Sequence, residues 1–124
     1  MRLLLVGLGG FAGSVMRYLA SGWVQGAFPM ASFPIGTLFV NVSGCLVIGI
    51  LGGLSEFYNV FTPHARLFVF VGILGGFTTF STFGSETTAL MRDGQFLWAF
   101  INVFSSVGAG LLAVWLGQTL SRFA

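Results

Sequence analysis

The hydrophobic residues of the chain fall into four long apolar stretches, which short polar or proline-containing segments separate. A helix needs about 20 mainly apolar residues to cross the hydrocarbon core of a bilayer. Four stretches meet this requirement, and they predict helices at about 2–25, 35–57, 64–91 and 96–121. Pro29, Pro34 and Pro63 lie in the first two breaks, and the turn Arg92-Asp93-Gly94 forms the third. The pattern predicts an all-α fold with a single four-helix transmembrane domain.

The composition strengthens this prediction and removes several classes of partner. Of the 124 residues, 56% are hydrophobic and only 6% are charged, whereas soluble domains carry about a quarter charged residues. The five arginines are scattered singly, so no basic patch for nucleic acid exists. A cleavable signal peptide is disfavoured because the first apolar stretch is too long. The predicted helices are therefore expected to be surrounded by lipid.

The sequence contains no set of residues that predicts an enzyme. His64 is the only histidine, and the three acids lie in three different regions of the chain. No Ser-His-Asp arrangement or pair of carboxylates can be drawn from them. Cys45 is the only cysteine, so neither a disulfide nor a Cys/His metal site is expected. We therefore expect no catalytic site.

The arginines give only a weak signal for orientation in the membrane. With four spans, Arg2, Arg66 and Arg122 share one side. Arg92 lies on the other side, together with Arg17 if that residue reaches the far end of the first helix. A count of three against two is almost no positive-inside bias. It indicates insertion in both orientations and assembly as an antiparallel pair. A single orientation fixed by Arg66 and Arg122 is the alternative.

Glycines spaced four residues apart occur in two of the predicted helices. The pairs are Gly9 with Gly13 and Gly49 with Gly53. Such spacing lets helix backbones approach closely in lipid. Contacts within one subunit and contacts between two subunits are both consistent with it.

Four polar residues inside the spans are candidates for function, because such side chains are costly in a membrane. They are Arg17, Asn41, Glu86 and Asn102. Arg17 lies near the end of the first helix, where it either reaches the interface or presents its charge to an anion. Asn41, one turn after Thr37, either donates to an anion or forms a hydrogen bond between helices.

The segment from Gly72 to Glu86 is not expected to form a regular helix throughout. The pair Gly75-Gly76 is followed by a dense run of threonines and serines, which lowers helix propensity. Irregular backbone at membrane depth exposes carbonyl and amide groups that bind ions. A cation on the carbonyls and an anion on the amides of the second half-helix are both chemically reasonable.

Aromatic and hydroxyl residues alternate after this glycine pair. Phe80 and Phe83 are interleaved with threonine and serine, and the edge of a phenyl ring is electropositive. Ring edges along a narrow path would stabilise a small anion without trapping it; packing is the alternative role. In the fourth helix, Asn102, Ser106 and Gly110 form a stripe that is first polar and then open.

Three segments of the chain resemble the signatures of the Fluc (CrcB) fluoride channels, and the resemblance covers essentially the whole chain. They are Gly9-Gly-Phe-Ala-Gly-Ser-Val-Met-Arg17-Tyr, Gly36-Thr-Leu-Phe-Val-Asn41 and Gly75-Gly-Phe-Thr-Thr-Phe80-Ser-Thr-Phe83. The resemblance implies a passive, fluoride-selective channel that exports fluoride across the bacterial inner membrane and so lowers its cytoplasmic level. It also implies an antiparallel, dual-topology homodimer with two pores and a structural Na+ at the centre of the dimer interface.

The resemblance also assigns roles to residues. Asn41 would be the pore-facing donor, Phe80 and Phe83 the ring edges that contact fluoride, and the backbone carbonyls of Gly75 and Thr78 the sodium ligands. The polar stripe beside the phenylalanines would contain Thr37, Thr82, Glu86 and Ser106, and Arg17 would lie near a vestibule. Where some members of the family carry a hydroxyl one turn beyond Ser106, this chain has Gly110.

Two other classes of membrane protein are less consistent with the sequence. A proton-coupled drug exporter of the four-span, dual-topology kind uses an acidic residue in its first helix, and this first helix has none. A purely structural membrane subunit would explain the glycines. It would not explain the pattern of hydroxyl groups and phenylalanines next to Asn41.

Overall fold

The architecture comes from a computed structural model, which describes residues 1–29 and 32–124. Its helices are α1 (Arg2–Ala27), α2 (Ile35–Tyr58), α3 (Pro63–Arg66), α4 (Gly75–Phe77), α5 (Phe80–Arg92) and α6 (Phe96–Ser121), with a π-helical segment, π1 (Leu67–Leu74), between α3 and α4. The described residues contain no strand. Four helical stretches are long and apolar enough to cross a membrane, which confirms the all-α, four-span prediction.

The third of these spans runs over Pro63–Arg92 and is broken. Its backbone leaves the helical conformation at two residues, Thr78 (φ −83°, ψ 155°) and Thr79 (φ −148°, ψ 122°). The break predicted after the glycine pair is therefore confirmed, and it is short. The π-helical turns of π1 just before it were not predicted, because residues 67–74 are simply apolar.

Polar contacts at the two ends of the bundle show how the spans are connected. On one side, the Gln25 side chain donates to the Phe33 carbonyl (3.0 Å) and accepts from the Gly36 N–H (3.0 Å). Ser32 Oγ donates to Gln95 Oε1 on the same side, at 2.6 Å. At the opposite end, Tyr58 Oη lies within hydrogen-bond distance of the Arg122 carbonyl, at 3.1 Å. The first and third connections thus meet on one side, as an up-and-down bundle requires.

Glycines allow the helices to pack closely within one subunit. A Cβ atom added to Gly9 of α1 would lie 2.9 Å from Gly72 Cα of π1. A Cβ atom added to Gly117 of α6 would lie 2.6 Å from the Ile50 N of α2. Gly49 and Gly53 lie in this same contact with α6. The glycine spacing read from the sequence therefore serves contacts inside the subunit, where packing drives helix association in lipid.

We predict that an alanine at Gly9 destabilises the fold and that an alanine at the adjacent Gly10 does not. The first methyl group would collide with the backbone of π1, whereas nothing lies within 4 Å of a Cβ added to Gly10. Gly9→Ala should lower the free energy of unfolding by about 1–3 kcal/mol. Gly10→Ala should leave it unchanged or raise it by up to about 1 kcal/mol, because alanine favours the helix.

Thermal unfolding in detergent, followed by circular dichroism, measures both effects on the same helix. Equal stability of the two variants would contradict the close contact between α1 and π1.

Candidate functional site

The break in the third span is held by the side chain of Asn41 on α2. Asn41 Nδ2 donates to the Thr79 carbonyl at 2.8 Å, and the Thr79 N–H donates to Asn41 Oδ1 at 2.8 Å. Unsatisfied backbone groups at membrane depth cost several kcal/mol each, so this pair makes the irregular residue tolerable. The hydrogen bond between spans that the sequence left as an alternative for Asn41 is confirmed. An amide nitrogen carries two hydrogens, so a second Nδ2–H remains for another acceptor.

The same break frees two backbone carbonyls. In a continuous α-helix the N–H of residue i donates to the carbonyl of residue i−4. Here the Thr79 N–H donates to Asn41 instead of to the Gly75 carbonyl. The Thr82 N–H donates to Thr79 Oγ1, at 3.3 Å, instead of to the Thr78 carbonyl. The carbonyls of Gly75 and Thr78 thus lose the donors that a regular helix would give them.

A cleft of about 380 Å³, here called the central cleft, lies beside the break. It brings together most of the residues that the sequence singled out in the second, third and fourth spans. Its lining consists of Asn41, Gly44, Cys45, Ile48, Phe70, Leu74, Gly75, Thr78, Thr79, Phe80, Phe83, Ser106 and Val107.

The two candidate phenylalanines lie side by side in this cleft. The ring centroids of Phe80 and Phe83 are 5.6 Å apart, and the ring planes are inclined by 42°. Phe83 is half-buried, whereas Phe80 is 83% exposed on the surface of the single chain. The cleft is therefore open toward the surface that Phe80 presents.

A second, smaller cavity of about 180 Å³ also borders Thr79 and is here called the Arg17 pocket. Thr79 lines both cavities, so both lie beside the break. The lining of the Arg17 pocket consists of Arg17, Tyr18, Ser21, Thr37, Val40, Thr79 and Thr82. Thr37 and Thr82 of the predicted polar stripe thus line the Arg17 pocket, whereas Ser106 lines the central cleft.

Comparison with known proteins places the chain in a family. A family model described as "CrcB-like protein, Camphor Resistance (CrcB)" matches residues 4–118.

The chain belongs to the CrcB family.

Similar curated proteins cover nearly the same length. A "Fluoride-specific ion channel FluC 3" of Methanosarcina barkeri is 43% identical over 119 residues, which are 96% of this chain and 89% of that protein. A "Fluoride-specific ion channel FluC" of Rhizobium meliloti is 45% identical over 121 residues, 97% of this chain and 95% of that protein. One of Elusimicrobium minutum is 49% identical over 113 residues, 91% of this chain and 87% of that protein.

Arg17 does not lie near the end of its helix in this CrcB-family chain. α1 continues to Ala27, ten residues beyond Arg17, which is about 15 Å at 1.5 Å per residue. The predicted helix over about 2–25 already placed Arg17 about eight residues before its end, and the observed helix is two residues longer. The Nε atom of Arg17 is buried and has no hydrogen-bond partner within the part of the chain that the structure describes. Arg17 lines the Arg17 pocket, together with Tyr18 and Ser21 of the same helix.

Glu86 lies one helical turn after Thr82 on α5 and lines neither cavity. Its carboxyl group faces the hydroxyl of Thr37. The Oε1 atom is buried and lacks a partner among residues 1–29 and 32–124. Glu86 thus extends the polar surface of the Arg17 pocket along α5.

The fourth span contributes differently from the stripe that its spacing suggested. Ser106 lines the central cleft, but Asn102 is only 2% exposed and donates to Thr87 Oγ1 at 2.9 Å. A Cβ atom added to Gly110 would lie 3.5 Å from Cys45 Sγ, and Cys45 lines the cleft. The thiol of Cys45 therefore lies at the Gly110 end of the stripe, where some members of the family carry a hydroxyl. The sequence feature that could have indicated this contact is the position of Cys45 one turn after Asn41.

Proposed function

We propose that this multi-pass membrane protein is a fluoride-specific ion channel through which fluoride leaves the cell down its electrochemical gradient. Its function is transport rather than catalysis. The names of its CrcB relatives support the substrate. The observation that carries the proposal for this chain is the central cleft, where Asn41, Ser106 and the two phenylalanines line one space. We place the protein in the plasma membrane, which is the inner membrane in a bacterium with two membranes.

The groups that line the central cleft suit a small, strongly hydrated anion. The free Nδ2–H of Asn41 replaces part of the hydration shell of fluoride, whereas Ser106, whose single hydroxyl hydrogen is donated to Asn102 Oδ1, lines the path. The edges of Phe80 and Phe83 add positive potential. None of these groups carries a full charge, so the anion is stabilised without being trapped.

The Arg17 pocket serves as the vestibule in this proposal. The guanidinium of Arg17 attracts anions, and attraction is strong in a narrow cavity with low-dielectric walls. The hydroxyls of Thr37 and Thr82 line the same pocket. With Glu86 beside Thr37, they continue the polar stripe from the vestibule toward the break. Thr79 joins the two cavities, because it lines both.

We also propose that a second, antiparallel copy covers the open side of the central cleft. Phe80, at 83% exposed, lies on this side together with the exposed Gly75. A partner there would complete the cleft and shield the freed carbonyls from lipid. With Arg17 assigned to neither rim, the rim arginines number three against one, namely Arg2, Arg66 and Arg122 against Arg92. Dual topology therefore rests on this open surface and on the resemblance to the Fluc channels.

The carbonyls freed by the break fit a sodium ion. Unwound backbone carbonyls hold Na+ in other membrane proteins with broken helices. Gly75 and Thr78 both line the open cleft, and the Thr79 and Thr82 N–H groups that would occupy their carbonyls are directed elsewhere. Two such carbonyls from each copy would supply four oxygens around one Na+ at the centre of an antiparallel dimer. The ion would have a structural role.

We predict that the purified protein releases fluoride from liposomes and that Phe80→Ile slows this release by about tenfold, the effect of about 1.4 kcal/mol on a barrier. Isoleucine fills space but lacks the electropositive ring edge. A fluoride electrode measures the efflux, with a potassium ionophore to balance charge. Phe104→Ile is the matched control, since Phe104 is 60% exposed on α6 and lies outside the cleft.

No efflux from the unaltered protein would overturn the proposed function. Full efflux from an intact Phe80→Ile protein would remove the ring edge from the mechanism and leave Phe80 as a packing residue.

Dual topology predicts that each end of the bundle is found on both faces of the membrane. In a Cys45→Ala background, Ala124→Cys and Asp93→Cys place single thiols at opposite ends of the bundle. An impermeant maleimide applied to intact cells should label about half of each protein, because each end of the bundle would face outward in one copy of every antiparallel pair. Labelling of one variant and not of the other would establish a single orientation.

The sodium site predicts that Na+ stabilises the assembled protein. Replacing Na+ by N-methylglucamine at equal ionic strength should lower the midpoint of thermal unfolding in detergent, because a ligand bound only to the folded state stabilises it. The predicted stabilisation is about 2.7 kcal/mol at a Na+ concentration 100-fold above its dissociation constant. Identical midpoints in the two salts would contradict the site, whatever the efflux assay shows.

A further inference from the structure

Asn102 is the most deeply buried polar residue between the last two helices. It is 2% exposed, and its Nδ2 donates to Thr87 Oγ1 of α5 at 2.9 Å. Thr87 Oγ1 in turn donates to the Phe83 carbonyl at 2.7 Å. Within the described residues, this is the one hydrogen bond between a side chain of α5 and a side chain of α6. Asn102 therefore connects α6 to the turn of α5 that carries Phe83.

The other end of the Asn102 amide is directed toward a cleft residue. Its Oδ1 accepts a hydrogen bond from Ser106 Oγ at 3.4 Å. Other α6 hydroxyls bond to their own helix backbone, as Ser105 does to the Ile101 carbonyl (2.6 Å) and Thr119 to the Trp115 carbonyl (2.9 Å). Ser106 differs from both because its partner is a side chain. The rotamer of Ser106 is thus coupled to Asn102.

We propose that Asn102 is a positioning residue for the anion path, which it does not itself line. One amide would hold the Ser106 hydroxyl through Oδ1 and the Phe83 segment through Nδ2 and Thr87. Both Ser106 and Phe83 line the central cleft, whereas Asn102 does not. This inference rests on the proposed function, since it assigns Asn102 to the same pathway.

Loss of the amide should disturb both groups at once. Without Oδ1, the Ser106 hydroxyl turns to the backbone carbonyl four residues before it, the usual partner of serine inside a helix. Without Nδ2, Thr87 loses its only partner on α6, and no water replaces it at this depth of a membrane. α5 is then free to change its rotation against α6, and the ring of Phe83 moves with it.

Single-channel recording of the reconstituted protein tests this role. Asn102→Leu keeps a similar volume and removes both hydrogen bonds. We expect its unitary fluoride current to fall by about threefold or more, in line with the loss of polar contacts between membrane helices. Thr119→Val is the matched control, because it removes a half-buried hydroxyl on α6 that donates to the Trp115 carbonyl of the same helix. The control should retain the current of the unaltered protein.

The unitary current separates positioning from folding. A residue needed only for folding changes the number of active channels and leaves the current through each one unaltered. An unchanged unitary current in Asn102→Leu would therefore overturn the proposal. If the unaltered protein carries no fluoride current at all, the proposed function fails, and this inference fails with it.

Thr87→Val breaks the same chain of hydrogen bonds from the α5 side and provides the test if Asn102→Leu does not assemble. It should lower the unitary current in the same direction. Combining the two substitutions should lower the current no further than the more severe single variant, because both remove one network. Additive losses, or a normal current in Thr87→Val, would contradict the coupling through Thr87.

Discussion

A backbone that leaves the helical conformation inside a bilayer must find partners for its polar groups, and in this chain Asn41 supplies them. The carboxamide pairs with both the N–H and the carbonyl of Thr79, each at 2.8 Å. This single pairing permits the break, sets its position and joins α2 to the third span. Asn41 therefore has a structural role that any account of ion conduction has to include.

The rest of the site follows from this pairing. Because the Thr79 N–H is engaged by Asn41, the carbonyl of Gly75 loses its helical donor. Thr79 is the N-cap residue of α5, and its Oγ1 accepts a hydrogen bond from the Thr82 N–H. The carbonyl of Thr78 therefore loses its helical donor as well. Thr79 also lines both the central cleft and the Arg17 pocket. The two irregular residues, Thr78 and Thr79, thus leave two carbonyls without their helical donors and lie beside two cavities.

Features that depend on composition were predictable from the sequence, and features that depend on spatial pairing were not. The four spans follow from apolar length, and the break follows from glycines and hydroxyls after Gly75. The pairing of Asn41 with Thr79 joins residues 38 positions apart and required the structure. The pairing of Asn102 with Thr87 also required the structure, because the sequence spacing had placed Asn102 in a stripe with Ser106 and Gly110. The position of Arg17 relative to the helix end could be read from the predicted bounds, whereas the burial of its Nε atom beside Thr79 required the structure.

Asn41 holds the break with one amide hydrogen and, in the proposed mechanism, offers the other to fluoride. The chain has three asparagines, Asn41, Asn59 and Asn102, so protein labelled with ¹⁵N-asparagine gives few side-chain signals by NMR. Titration with fluoride should shift one Nδ2–H of Asn41, leave its Thr79-bonded hydrogen nearly unmoved, and leave the exposed Asn59 unchanged. Asn41 signals that do not respond to fluoride, while the protein still conducts it, would show that Asn41 does not bind the anion.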